Sequence, residues 1–226
     1  MQSWEGASSQ AYREIRERIL DGRYPGGSRL REQGLASELQ ISRTPVRSAL
    51  IRLQEEGLID LTANQGARVI AWTPKDIEEA FDLRAILEGW GAARATLHAT
   101  SEQLERLSAA CTSMEGLIQL QPMESIEIVA QLAKLNQVFH DTVAEASGSP
   151  KLPWLRKNLV SLPIVEKAYF SYSTEQLRSA VQDHRAIFRA IERRNAAEAE
   201  SLMRAHIFRG RDSLVGIPMA IAQSSQ

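Results

Sequence analysis

Apolar positions along the first part of the chain recur three and four apart. Tyr12, Ile15, Ile19 and Leu20 share one helical face, which Gly22 and Pro25 bring to an end. Leu35, Leu39 and Ile41 mark a short second helix. Thr44-Pro45 reads as a hydroxyl N-cap with proline at the first helical position, and Val46, Leu50 and Leu53 carry that third helix inward. Gly57 stops it as a C′ residue. The period then shortens: residues 58–62 and 67–72 are β-prone, with a loop at Asn64-Gln65-Gly66 between them. Three helices followed by a hairpin is the plan of a winged helix-turn-helix.

Beyond Trp72 the strand signals vanish. Thr73-Pro74 opens a long helix to about His98, with Ile77, Phe81, Ile86, Leu87 and Trp90 expected inward. Ser101 is read as the cap of another, with Leu104, Leu107 and Cys111 inward. Pro122 breaks the chain, and a helix over residues 124–146 is closed by Gly148 and Pro150. Residues 153–163 read as broken helix, and helices over 174–193 and 196–214 meet at Asn195. Trp90, Trp154, Phe139 and Phe188 read as core. The fold class expected is mainly α, a winged helix-turn-helix followed by an antiparallel all-α bundle of about six helices. The organisation expected is a flexible tail over residues 1–9, a DNA-binding domain over 10–72, an effector-binding and dimerisation domain over 73–215, and a flexible tail over 216–226.

The 226 residues, 43% hydrophobic and 24% charged, fit an ordinary globular chain of one large or two small domains. Cys111 stands alone, which excludes an intrachain disulfide and a cysteine zinc ribbon. No secretory signal is visible and no run approaches the roughly 18 apolar residues of a spanning helix, so a cytoplasmic protein with no membrane partner is expected. The net charge of −1 weighs against a nucleic-acid binder. Its distribution reverses that. Residues 1–72 carry ten basic side chains, all arginine, against nine acids, whereas residues 73–226 carry seventeen basic against nineteen acidic. Residues 41–54 hold Arg43, Arg47 and Arg52 and no acid.

A helix fits the major groove and meets base edges with its N-terminal residues. Here that turn presents Ser42, Arg43, Thr44 and Arg47, with free backbone N–H groups near Val46 and Arg47 for a phosphate. Gly66 allows the hairpin tip to approach a sugar-phosphate rail, with Arg68 nearby. The plainer alternative is a solvated arginine face. Among the four histidines, His98 ends a helix as a cap or solvated residue. Asn136 and His140 share a helix face, and His184 and His206 sit on two further helices. Three neutral imidazoles make an open site for zinc or nickel if the bundle brings them together; otherwise they are three separately satisfied histidines.

Residues 24–69 resemble the DNA-binding domain of the GntR family of bacterial transcription regulators. The resemblance rests on Tyr24-Pro25-Gly26-Gly27-Ser28-Arg29-Leu30, Leu35-Ala36, Ser42-Arg43-Thr44-Pro45-Val46-Arg47-Ser48-Ala49-Leu50, Leu53-Gln54-Glu55-Glu56-Gly57-Leu58, Gly66 and Val69. Gly34 departs from the acidic or polar residue expected before Leu35. The resemblance implies operator contacts at Arg43, Thr44, Arg47 and Gly66, with Arg31 a further candidate. Residues 76–214 resemble the C-terminal effector domain of the FadR-type regulators, through Leu83-Arg84-Ala85-Ile86-Leu87-Glu88, Asn136, Phe139-His140, Asp183-His184-Arg185-Ala186-Ile187 and Met203-Arg204-Ala205-His206.

Many such domains hold a divalent metal on one Asp and three His. The resemblance makes His140, His184 and His206 ligands and places Asn136 where the Asp stands. An amide oxygen still coordinates but brings no charge, so weaker binding and greater dependence on an anionic effector are expected. Arg84 falls where relatives line the effector pocket and is expected to clamp a small carboxylate, unless it pairs with Glu88 four residues on. The combined reading is a homodimeric regulator on palindromic operator DNA, in the repressor mode commoner in the family. A metal-dependent hydrolase and a non-specific DNA-bridging protein are the rival readings.

Overall fold

The computed structural model of the chain describes residues 2–20, 22–62, 66–71, 73–120, 122–123, 125–160 and 172–213. The chain divides into two compact units, one within Met1–Asp76 and one that begins at Ile77. The division expected from the sequence lies at 72/73. The tail expected over residues 216–226 lies outside the described residues, as do Asn64 and Gln65 of the hairpin loop.

The first unit contains α1 (Gln2–Leu20), β1 (Arg29–Leu30), α2 (Glu32–Glu38), α3 (Arg43–Glu55), β2 (Ile59–Thr62) and β3 (Gly66–Val69). The first helix begins at Gln2, so it takes in nearly all of the stretch expected as an N-terminal tail. Ala11 and Ile15 on α1, Leu35 on α2, and Val46, Leu50 and Leu53 on α3 form one buried core with Ala67 and Val69 of the sheet. Each complete burial of a Leu or Ile side chain stabilises by about 1.5–3 kcal/mol. The third helix ends in a paired closure in which Gly57 N–H donates to Gln54 O and Leu58 N–H to Leu53 O.

Its start differs from the sequence reading. The N-cap is Ser42, two residues before Thr44, and Pro45 sits inside the first turn. Ser42 makes no side-chain cap bond. The usual partner is the N–H of the third helical residue, here Pro45, which has none. The sheet also has a strand that periodicity did not reveal. Strand β1, only two residues long, pairs with β3 to give the antiparallel order β1-β3-β2.

The second unit contains α4 (Pro74–His98), α5 (Ser101–Leu117), α6 (Ile126–Ala146), α7 (Leu152–Val160), α8 (Thr174–Glu192) and α9 (Ala196–Asp212). Thr100, not Ser101, caps α5, in a reciprocal box with Gln103. Phe81, Leu107, Leu132, Phe139 and Leu177 are among its fully buried side chains. Ile86 and Trp90, expected inward on α4, are 54% and 44% exposed, and Trp154 on α7 is exposed as well. The buried face of α4 is instead Ile77, Phe81, Arg84, Ala85, Glu88 and Ala92. Small residues let neighbours close in on it: a Cβ on Gly89 would stand 2.7 Å from Arg204 Cγ of α9, and one on Gly91 2.6 Å from Leu152 of α7. None of the described helices is long and apolar enough to cross a membrane.

Candidate nucleic-acid interface and metal centre

Ser42, Arg43, Thr44 and Arg47 all lie exposed on the first turns of α3, and Arg31 is exposed just before α2. Starting the helix at Arg43 shifts the unpaired first-turn N–H groups toward Arg43 and Thr44, one turn earlier than the sequence suggested. Both recognition arginines reach one carboxylate of α2: Arg43 Nη2 lies 3.3 Å from Glu32 Oε2, and Arg47 Nε 3.9 Å from Glu32 Oε1. Such exposed pairs are worth well under about 1 kcal/mol. They arrange the guanidinium groups without committing them.

In the wing, Gly66 takes φ +84°, and a Cβ there would stand 3.2 Å from Leu30 O. Arg68 faces solvent and donates from Nη1 to Gly27 O at 2.8 Å. Directly opposite it in the ladder is Arg29. Asp60 of β2 faces Arg68 from the other side, so the row across the three strands reads Arg29, Arg68, Asp60. The sequence reading missed Arg29 because a two-residue strand leaves no periodic trace.

In the second unit His140 of α6, His184 of α8 and His206 of α9 are brought together. The Nε2 atoms of His140 and His206 are 3.3 Å apart, and those of His140 and His184 3.4 Å. Asn136 Oδ1 lies 3.0 Å from His184 Nε2. One nitrogen from each imidazole falls within 4.8 Å of the others. Zinc–nitrogen bonds of about 2.0–2.1 Å imply a tetrahedral edge of about 3.3–3.4 Å, which these separations match.

The donor set fits an ion on chemical grounds too. His140 Nδ1 is 2.6 Å from Glu88 Oε2 and His206 Nδ1 is 3.3 Å from Asp183 Oδ2. Carboxylates accept protons from those Nδ1 atoms, so both Nε2 atoms carry lone pairs and face one another with no proton between them. A cation is what such a pair accommodates. Glu88 is a buried hub: Arg84 Nε reaches its Oε1 at 2.9 Å and Arg156 Nε its Oε2 at 3.4 Å, while Arg156 also pairs with Asp141. Burial alone would raise the Glu88 carboxyl, but Arg84, His140 and Arg156 outweigh it and hold it well below the usual carboxylate range. Burial likewise opposes ionisation of Asp183, and His206 and Arg209 reverse the balance.

Burial pushes His140 down to about 4, Glu88 only partly opposing it, and burial with the two neighbouring imidazoles drives His184 well below its ordinary value. Both are neutral at pH 7, as metal ligands must be. In metal-free protein, the unfolded chain binds more protons than the folded one between about pH 6.5 and 4. Stability is therefore complete above that window and falls as pH drops through it, by about 3 kcal/mol from His140 alone. Urea unfolding of chelator-treated protein at pH 7 and pH 4.5 measures this. Equal stability at the two pH values would contradict the burial of neutral imidazoles.

Arg84 is 3% exposed and makes the pair with Glu88 that the sequence held as the alternative to an effector clamp. Its Nε makes that bond, and its guanidinium carbon lies 4.9 Å from the centroid of the Phe81 ring. A cavity of about 270 Å³ opens beside His206, lined also by Tyr172, Gln176, Asp183 and Arg209 among others. Arg84 does not line it. Phe139 and Phe188 are core, as expected. His98 lies 2.9 Å from Arg94 at the end of α4, away from the cluster. Sequence reasoning named Glu88 only as a helix partner and did not find Asp183 or Arg156. The adjacency of Asp183 to His184 was the one visible signal.

Residues 7–69 match the family model described as bacterial regulatory proteins of the gntR family, and residues 79–209 match the FCD domain. The chain is 27% identical over 220 residues to the transcriptional regulator LutR of Bacillus subtilis, covering 88% of this chain and 96% of LutR. It is 28% identical over 189 residues to the gluconate operon transcriptional repressor of Bacillus licheniformis, covering 82% and 74%. Among solved structures, E. coli McbR/YncC superposes with a TM-score of 0.67 at 20% identity, over 89% of this chain and 93% of that one. At that identity the likeness is one of fold.

Proposed function

The chain belongs to the gntR family of bacterial transcription regulators, in the FadR-type branch with a C-terminal FCD domain, and we propose that it is a homodimeric repressor whose operator affinity is set by a small organic acid bound beside a metal. The family makes it a regulator of transcription rather than the hydrolase considered above. The observation that carries the ligand-sensing part is the convergence of three imidazole nitrogens in the helical unit, beside a cavity and a buried guanidinium. His140, His184 and His206 would hold the ion, zinc or nickel, with Asn136 as the fourth group. Bound there, the ion supplies a positive charge that attracts a carboxylate. Arg84 would leave Glu88 to pair with the same anion. Exchange of Arg84 between Glu88 and the ligand would shift the helical unit between two arrangements.

On the DNA side, Arg43, Thr44 and Arg47 read bases. Arg31, Ser42, Gly66 and Arg68, with Arg29, meet the sugar-phosphate backbone. Repression as the mode is supported by the name of the gluconate operon relative. The test selects a preferred duplex from random DNA with the full-length protein, then titrates it with and without zinc and a panel of small carboxylates. A carboxylate that changes affinity at least severalfold only in metal-loaded protein supports the reading. Equal affinity for selected and random DNA favours the non-specific bridging protein instead.

The dimer surface proposed is the outer face of α4. Leu83, Ile86, Trp90 and Leu97 are all exposed, and at 100° per residue they lie within about 60° of one another. A continuous exposed apolar stripe of this kind marks an interaction surface. The double substitution Ile86→Glu and Trp90→Glu is expected to give a monomer in sedimentation equilibrium, with the helical circular dichroism retained. A dimer that persists places the interface elsewhere.

A further inference from the structure

We propose that Glu88 and Asp183 are positioning residues of the metal centre, each accepting the Nδ1 proton of one histidine and so fixing His140 and His206 with their Nε2 lone pairs on one point. The inference rests on the metal reading above and deepens it. The two carboxylates come from different helices, α4 and α8, and act on histidines of two others, α6 and α9. The contacts are Glu88 Oε2 to His140 Nδ1 at 2.6 Å and Asp183 Oδ2 to His206 Nδ1 at 3.3 Å. Each carboxylate is itself held by arginine: Glu88 by Arg84 and Arg156, and Asp183 by Arg209 at 2.6 and 2.8 Å. A clamped carboxylate has one orientation to offer, so the imidazole it holds has one tautomer and one ring direction.

The third histidine is different. Among the described residues no carboxylate holds His184: its ring lies within reach of the Ala180 backbone one turn back, and its Nε2 lies against Asn136 Oδ1. Its ring is set by packing, edge-on to Phe139 with centroids 4.7 Å apart. The negative charge that Asn136 does not bring is present one step further out, on Glu88 and Asp183, and reaches the ion through the imidazoles they polarise. Two ligands are set by carboxylates and the third by packing.

Nitrogen-15 histidine spectra of chelator-treated full-length protein test the positioning directly. His140 and His206 should appear as Nδ1–H tautomers; an Nε2–H tautomer at either overturns the proposal. Zinc affinity by chelator competition, with the cobalt d–d spectrum as reporter of ligand geometry, is the second readout. Asp183→Ala should weaken binding about 10–100-fold and alter the cobalt bands, and Asp183→Asn, which keeps an acceptor, should recover part of the loss. Glu88→Gln should act likewise. Because it strands Arg84 and Arg156, the Asp183 pair carries the test if that variant does not fold. Wild-type affinity and spectrum in folded Asp183→Ala overturn the positioning alone, whereas a wild type that takes up neither zinc nor nickel overturns the metal reading and this inference with it.

Discussion

Arg47→Ala is expected to weaken binding to the selected duplex by about 1–3 kcal/mol and to relax base preference at one position. Arg47 stands exposed on the recognition helix, one turn after Arg43 and on the same face. Among the described residues its ion pair is the 3.9 Å contact with Glu32, far too weak to compete with a bidentate guanine or a phosphate. Arg68→Ala is the informative contrast. It lies in the wing rather than on the helix, so affinity should fall alike for all sequences, and the salt slope should decrease by about 1. Because Arg43 and Arg47 share Glu32, their losses should not add. Anisotropy titrations of both variants against matched and scrambled duplexes separate the outcomes. Unchanged base preference in Arg47→Ala removes it from base reading.

The elements were legible where local chemistry decides them. Pro74 starts α4 and Asn195 caps α9 through a bond to Glu198 N–H, because both effects act within one turn. The recognition-helix cap was misplaced because Thr44-Pro45 is a good start signal by local rules, and only the native backbone shows Ser42 at the extended position. Ile86 and Trp90 fit a core by periodicity alone, which does not tell a face turned to the core from one turned to a partner. On α4 the stripe instead faces out and the charged pair Arg84–Glu88 faces in. The histidines could be nominated from residue type and helix register, but their convergence depends on how three helices pack. The link from Glu88 to His140 spans 52 residues, and that to Arg156 spans 68. Nothing periodic encodes contacts at such separations, so the carboxylates that orient the site became visible only in the folded chain.

Zinc in excess is expected to raise the unfolding free energy of the chain, by about 2.7 kcal/mol at a free concentration one hundred times the dissociation constant, and His184→Ala should abolish that increment. The increment is the quantity to read, not the absolute midpoint. Removing a fully buried imidazole leaves a cavity and destabilises the metal-free protein on its own account. The ion's contribution depends on all three nitrogens: with the 3.4 Å edge between His140 and His184 gone, two imidazoles and one uncharged amide oxygen remain, too weak a set to hold zinc against solvent. Asn136→Asp should move the other way. A carboxylate 3.0 Å from His184 Nε2 adds charge where the amide adds none, and the zinc increment should grow at the same metal concentration. Calorimetric melts of the three proteins with and without zinc give the comparison. An increment that survives His184→Ala locates the ion outside the histidine cluster. One that shrinks in Asn136→Asp shows that this position is not a ligand.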